Sequence, residues 1–204
     1  MENLEFLQLS DVAKIREWQL DPYYEDYFRR MPPLENLSDE AVFAMFEVAW
    51  TIKVNHKTVG LISLNNFDYE SKQCEYGLIV EPGLGSTAKM IFDTGREVTQ
   101  FVFQHCKLNK IYTRVLSGKR NIQVISKAFG FKLEGTLRDN ILWDGMFGDE
   151  DIYGLLAEDY YEGIRLTQEH RDKQVQENLA RCIEIVSLNE PQAKFPKCTM
   201  RYTL

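Results

Sequence analysis

The sequence has no apolar run near the roughly 20 residues that a membrane-spanning helix needs. Its first residues, MENLEFLQLS, lack the basic-then-apolar order of a secretory leader. No membrane partner is therefore expected. Cysteine is scarce: Cys74, Cys106, Cys182 and Cys198 lie far apart with no CxxC, which excludes both a zinc spacing and the disulfide framework of a small secreted domain. Reduced thiols in the cytoplasm, with no metal, are the expectation. Positive charge is also short. With 24 Lys and Arg against 31 Asp and Glu, the net charge is −7. Such a chain repels a polyphosphate backbone unless it gathers a basic patch, and the best patch, LSGKR at 116–120, is short. Nucleic acid is thus not an expected partner, whereas a cationic substrate such as an amine suits the acidic balance. Internal repeats and low-complexity segments are absent.

What is present reads as an alternation of short strands and helices. LEFLQL (4–9) alternates like a strand, and Asp11 can cap a helix over DVAKIREWQL with Val12, Ile15 and Trp18 on one face. Ser38 opens a second helix, SDEAVFAMFEVA, with Asp39 and Glu40 in its first turn. AWTIKVN and TVGLISLNNF flank NHKT as a hairpin, and FDYESKQ turns the chain into CEYGLIVE, so three consecutive antiparallel strands are expected. The helix over 86–106 has a clear 3.6-residue period; Gly95 inside it costs about 1 kcal/mol against Ala, which points to close approach by another element. KIYTRVL (110–116) reads as a buried strand, NIQVISKAF as a short helix ending at Gly130, and FKLEGTLRD and DEDIYGLLAED as two strands joined around DGMFG. After Asp159 the chain becomes charged and helical, then Pro-punctuated and irregular.

Between the third hairpin strand and the long helix lies GLGSTAK, residues 83–89. A strand, a glycine-bearing loop and a helix N-terminus together offer unpaired N–H groups and partial positive charge to a phosphate. It is not a P-loop: counted from Gly83, the second glycine position holds Ala88, and Met90 follows Lys89 where a magnesium-binding hydroxyl belongs. The dinucleotide fingerprint fails at the same alanine and lacks the βαβ order. A plain glycine turn capped by Ser86 remains the simpler local alternative.

The order of elements resembles the GCN5-related N-acetyltransferase (GNAT) superfamily. KAFGFKLEGTLRD followed by DGMFGDEDIYGLLAED looks like its RimJ/RimL-type branch, through Gly130, Phe131, Glu134, Gly135, Arg138, Gly145, Asp149 and Tyr153. The resemblance spans about residues 4–160. It implies an α+β, three-layer fold with a mixed, mostly antiparallel sheet flanked by helices. The domain expected is 1–160, with a helical and irregular extension over 161–204 that either packs on a second subunit, giving a homodimer, or forms a mobile terminus. It further implies that the fourth and fifth strands splay apart, that acetyl-CoA is the co-substrate, and that its pantetheine arm lies in the opening. Ile79, Val80, Gly83, Gly85, Ser86, Thr87 and Lys89 would hold it, with Lys119 and Asn121 across the opening. Two positions depart from the family pattern. Val80 stands where the loop signature has Arg or Gln, and Ser126 stands where many relatives have a Tyr that protonates the leaving thiolate.

The function implied is acyl-CoA-dependent transfer, acetyl foremost, to a primary amine: an amino sugar, a polyamine or a peptide N-terminus. The departures keep open a non-catalytic GNAT-fold protein that binds a ligand or partner. Acyl transfer needs a neutral amine beside the thioester carbonyl, a base for the ammonium proton and a donor to the carbonyl oxygen. Glu75, on the splayed strand, is the first candidate base and Asp149 the second; Ser126 is the candidate acid. The aromatic stretch YYEDYFRR, with Tyr24, Tyr27 and Phe28, supplies the acceptor wall, and Tyr153 would orient the reacting groups.

Overall fold

The structure, a computed structural model, describes residues 4–165 except 22, 23, 29, 82–86, 119–122, 124, 125 and 144. Gly83, Gly85, Ser86, Lys119, Asn121, part of the helix expected over NIQVISKAF and the chain beyond 165 lie outside the described residues. The order is β1 (Leu4–Phe6), α1 (Val12–Leu20), α2 (Glu25–Phe28), α3 (Asp39–Phe43), β2 (Val48–Val54), β3 (Lys57–Asp68), β4 (Gln73–Val80) and α4 (Thr87–Gln100). A π-helical turn over Phe101–His105 extends α4; then come β5 (Lys110–Leu116), β6 (Lys132–Trp143), β7 (Met146–Leu156) and α5 (Ala157–Arg165). The strands form one sheet in the order β1-β2-β3-β4-β5-β7-β6. All pairs are antiparallel except β4 with β5.

Strand alternation builds the two cores. Leu61 and Ile79 face α1–α3, where Val12, Ile15, Trp18 and Leu34 are buried against them. Ile62, Tyr76 and Leu78 face the other way, against Val98, Val102 and Phe103 of the long helix and its π turn. The hairpin expected at NHKT is present. Asn55 and His56 both take positive φ (48° and 64°), the signature of the two-residue turn whose twist matches the flanking strands.

Several boundaries move for identifiable reasons. β1 stops at Phe6 because the Gln8 N–H turns to the Asp11 carboxylate (3.0 Å) and starts a 3-10 turn. Asp11 therefore does not cap α1 through its side chain. Its carboxylate also holds Lys53 (2.6 Å) and Thr58 (3.1 Å), pinning the helix start to the first hairpin. Ser38 does cap α3, accepting from the Ala41 N–H at 3.2 Å, but that helix is five residues long. The chain is claimed from Val48 onward by pairing with Leu64 of β3. β6 runs on to Trp143, beyond the Asp139 expected from sequence, by absorbing a register shift between Leu137 and Ile141. Ala157, Glu158 and Asp159, read as the end of a strand, begin α5 instead. This helix crosses the expected domain boundary and docks through Tyr161, whose hydroxyl donates to the Phe103 carbonyl at 2.9 Å.

Gly95 answers to a close approach. A Cβ there would sit 2.4 Å from the Phe129 ring, which itself stacks on Phe92 at 4.5 Å. Gly95→Ala improves helix propensity by about 1 kcal/mol but drives a methyl into that stack, at a cost of about 1–3 kcal/mol. Denaturant unfolding of Gly95→Ala is expected to show a lower midpoint than wild type; an unchanged or higher midpoint would contradict the packing described.

Candidate active site

β4 and β5 pair in parallel over only three residue pairs, Gln73↔Lys110, Cys74↔Ile111 and Glu75↔Tyr112. Beyond Glu75, the strand from Tyr76 to Val80 is paired only with β3, and β5 beyond Tyr112 only with β7. The sheet therefore opens from this point, and backbone N–H and C=O groups along one side of β4 face the gap. An extended chain bearing amides is the kind of ligand such an edge takes.

The two faces of the opening carry different chemistry. On the α4 face the first residues past the last pair are Tyr76 and Thr113. Both are fully buried, and neither hydroxyl has a hydrogen-bond partner among the described residues. Ser126, in the helical stretch that ends at Gly130, is the same: fully buried with an unpartnered Oγ. Buried hydroxyls without partners are uncommon and costly, so three in this layer of the molecule fit a ligand that supplies acceptors. Burial also raises the Tyr76 pKa, keeping its hydroxyl a proton carrier at neutral pH. These groups fit the thioester end of a pantetheine arm.

On the α1–α3 face, Glu75 is 7% exposed and accepts from Asn66 Nδ2 at 2.8 Å, with Arg114 Nε 3.9 Å away. Asn66 reaches it because β3 bulges between Asn65 and Asp68, with Asn66 at φ 53°. The Arg114 guanidinium lies over the Tyr112 ring at 5.7 Å. Burial and then the Glu75 charge raise the Tyr112 pKa. Tyr27 reaches down from α2, its hydroxyl 3.1 Å from Ser63 Oγ, and Asn65 donates to the same oxygen at 2.9 Å. A Cβ at Gly77 would come within 2.5 Å of Ser63 Oγ and 3.3 Å of the Tyr27 hydroxyl, so the glycine lets the helix close on the sheet beside the gap. Further along the same face, Glu150 is 1% exposed and bonds to Arg30 and to Asn140 Nδ2 (2.7 Å).

The residues expected from sequence are thus divided. Glu75 stands at the mouth of the opening and Tyr27 beside it. Tyr24 and Phe28 are core side chains, packed on Trp18 (5.9 Å) and Tyr27 (5.0 Å). Asp149 and Tyr153 alternate onto the opposite face of β7 from Glu150, so they stand apart from Glu75. The Asp149 carboxylate accepts from the Asp139 N–H (2.9 Å) and stabilises the β6 bulge. Tyr153 is buried on the α4 side, its pKa raised by burial and then by Asp151. Ile79 and Val80 are buried strand residues whose backbones border the gap. Thr87 opens α4, and Lys89 pairs with Asp93 on its exposed face at 2.5 Å. Asn66, Arg114, Thr113 and the Arg30–Glu150 pair were not singled out from sequence. A charged residue inside the apolar strand KIYTRVL was the one visible signal, for Arg114. Among the described residues no group of three or more His, Cys, Asp or Glu is placed to hold a metal ion, and no helix is long and apolar enough to cross a membrane.

Cys74 lies under this site, fully buried. Burial, with smaller contributions from Cys106, Glu47 and Glu75, pushes its thiol up to about 12 from an ordinary 9.0. The folded chain therefore holds this proton when the unfolded chain has released it. The stability involved is complete below pH 9.0 and declines as pH rises from there toward 12. Denaturant unfolding at about pH 8 and about pH 10 should show a steeper loss in wild type than in Cys74→Ala. Equal slopes would refute it.

Comparison with known proteins follows the geometry. The family described as "Acetyltransferase (GNAT) domain" matches residues 3–132, well over half of the chain. Among curated proteins, none matches the sequence. Among solved structures, the spermidine/spermine N-acetyltransferase SpeG from Vibrio cholerae is similar at 21% identity and TM-score 0.63, covering 78% of this chain and 94% of that one. A dodecameric structure of spermidine N-acetyltransferase from Vibrio cholerae matches at 20% identity and TM-score 0.62, with 77% and 94% covered.

Proposed function

Because the chain belongs to the GNAT acetyltransferase family, whose chemistry is acetyl transfer to an amine, we propose that its acceptor is a polyamine, acetylated from acetyl-CoA across the β4–β5 opening. One observation carries the reading: a buried carboxylate, Glu75, held by Asn66 at the last pair before the strands part. The names of the similar solved structures support the substrate class, as does the acidic balance of the chain. The motif residues Gly130, Phe131, Arg138, Gly145 and Asp149 support a place in the RimJ/RimL-type branch.

In this reading Glu75 accepts the proton of the incoming ammonium, and Arg114 beside it favours the neutral amine. A backbone N–H on the open side of β4 donates to the thioester oxygen. The amine nitrogen bonds to the acetyl carbon, the carbon–sulfur bond breaks, and the thiolate takes a proton, with Ser126, Thr113 and Tyr76 as the nearby hydroxyls. α4 follows the loop assigned to the pyrophosphate, and a helix N-terminus offers the N–H groups and partial positive charge that an anion site requires. The acetyl-CoA dependence implied by the family and the free thiols at Cys74 and Cys106 support a cytoplasmic location. The domain would close with α5, leaving the remainder as an extension.

Calorimetric titration should give micromolar acetyl-CoA binding, with desulfo-CoA also binding and ATP not. Thiol release should then follow on adding spermidine, and no acetyl-CoA binding would overturn the proposal. Glu75→Gln should lower kcat/KM by about 100-fold or more while acetyl-CoA affinity is kept. An equal loss of acetyl-CoA binding would assign Glu75 to the fold rather than the chemistry.

A homo-oligomer is part of the proposal. β6 is an edge strand, and with the turn into β7 it exposes Leu133, Leu137, Leu142, Met146 and Phe147, apolar side chains beside an unpaired edge that a second copy would cover. Light scattering should give a mass above one chain that falls in Phe147→Asp. A monomeric wild type would exclude it.

A further inference from the structure

Glu150 and Arg30 form an ion pair across 120 residues of sequence, and its position matters more than its strength. Arg30 follows α2, which is seated over β3 and β4 on one side of the opening; Glu150 is on β7, on the other side. The pair bridges the gap on the face that carries Glu75. Its burial is lopsided: the Arg30 side chain is 39% exposed, whereas Glu150 is 1% exposed. An ion pair with one partner in solvent stabilises a fold weakly, yet it leaves Glu150 a desolvated carboxylate whose other partner is the neutral amide of Asn140. Without Arg30, that carboxylate calls for another cation.

Glu75 is paired with Tyr112, and Glu150 with Leu116, on the same face. Four residues of β5 separate those positions, about 13 Å along the sheet, so the two carboxylates are placed for the two ends of one extended molecule. Arg114 lies folded toward Tyr112 and Glu75, which puts its positive charge at the Glu75 end. That end therefore favours a neutral amine, while the Glu150 end favours a charged one.

Resting on the polyamine reading above, we infer that Glu150 anchors the remote ammonium of the acceptor, and that Arg30 holds this place in the free protein and is displaced by substrate. Glu150 thus selects diamines and longer polyamines over monoamines by binding the end that does not react. Arg30 competes from within the chain.

The test compares octylamine with its terminal diamine, which differ by one ammonium group, and spermidine is run as reference. The readout is the ratio of kcat/KM for the diamine to that for the monoamine, which a general loss of folding or of acetyl-CoA binding would not move. Wild type should favour the diamine by about tenfold or more, the scale of one close, desolvated charge pair. Glu150→Gln, which can still hydrogen-bond to Asn140, should bring the ratio close to one. Arg30→Gln should raise it above wild type by lowering KM for the diamine. An unchanged ratio in Glu150→Gln overturns the anchor, and an unchanged or lower ratio in Arg30→Gln overturns the displacement. If Glu150→Gln does not fold, Arg30→Gln decides alone. Spermidine turnover with unmoved ratios defeats this inference and leaves the polyamine reading standing. Absence of turnover with any polyamine, while another amine is acetylated, defeats both.

Discussion

The short parallel contact between β4 and β5 is the constraint on which the rest depends. Three residue pairs hold the two halves of the sheet together, after which each strand is committed only to its outer neighbour. β5 makes seven pairs with β7, and β4 is held along its length by β3. Each half carries its own right-handed twist, and with no ladder beyond Tyr112 nothing forces them to stay together. The gap that results is lined by backbone that can bond to a guest but not to the neighbouring strand.

Strand alternation then sorts the polar groups at this gap. Cys74, Tyr76 and Thr113 fall on the α4 side with Ser126, where the hydroxyls lack partners among the described residues. Glu75, Arg114 and Glu150 fall on the α1–α3 side, where Glu75 is bonded to Asn66 and Glu150 to Asn140 and Arg30, and Arg114 Nε stands 3.9 Å from Glu75. In the proposed function, one face offers donors to an acyl thioester, and the other offers carboxylates to an amine. An acetyltransferase needs its two substrates to meet from opposite sides of a plane, and here a single sheet supplies that plane. The helices tune it: Gly77 lets Tyr27 close on Ser63, and Gly95 lets α4 close on Phe129.

The order of elements along the chain, the NHKT hairpin, the long amphipathic helix and the meaning of Gly95 were legible in the sequence. Each is set by residues within a few positions of one another: alternation, a pair of turn residues, a 3.6-residue period. α3 was misjudged because its apolar continuation, Phe46 to Ala49, serves the core equally well as the approach to a strand. Asp11 was misjudged as a cap because its partners, Lys53 and Thr58, are 40 or more residues away. In the site, Glu75 was legible as a carboxylate on the splayed strand. Asn66 was not, because a bulge aims it, and Arg30 with Glu150 was not, because 120 residues separate them.

By itself, then, the sequence determined the order of its elements and the acidic character that suits an amine, since these follow from local periodicity and composition, and its resemblance to the GNAT superfamily implied the class of fold. Tertiary structure alone decided which carboxylates share a face. A neighbouring position, such as Asp149 beside Glu150, points to the opposite side of a strand, so one residue of register separates a bulge-stabilising aspartate from a carboxylate at the gap. Pairing between strands sets that register, and no local pattern in DEDIY records it.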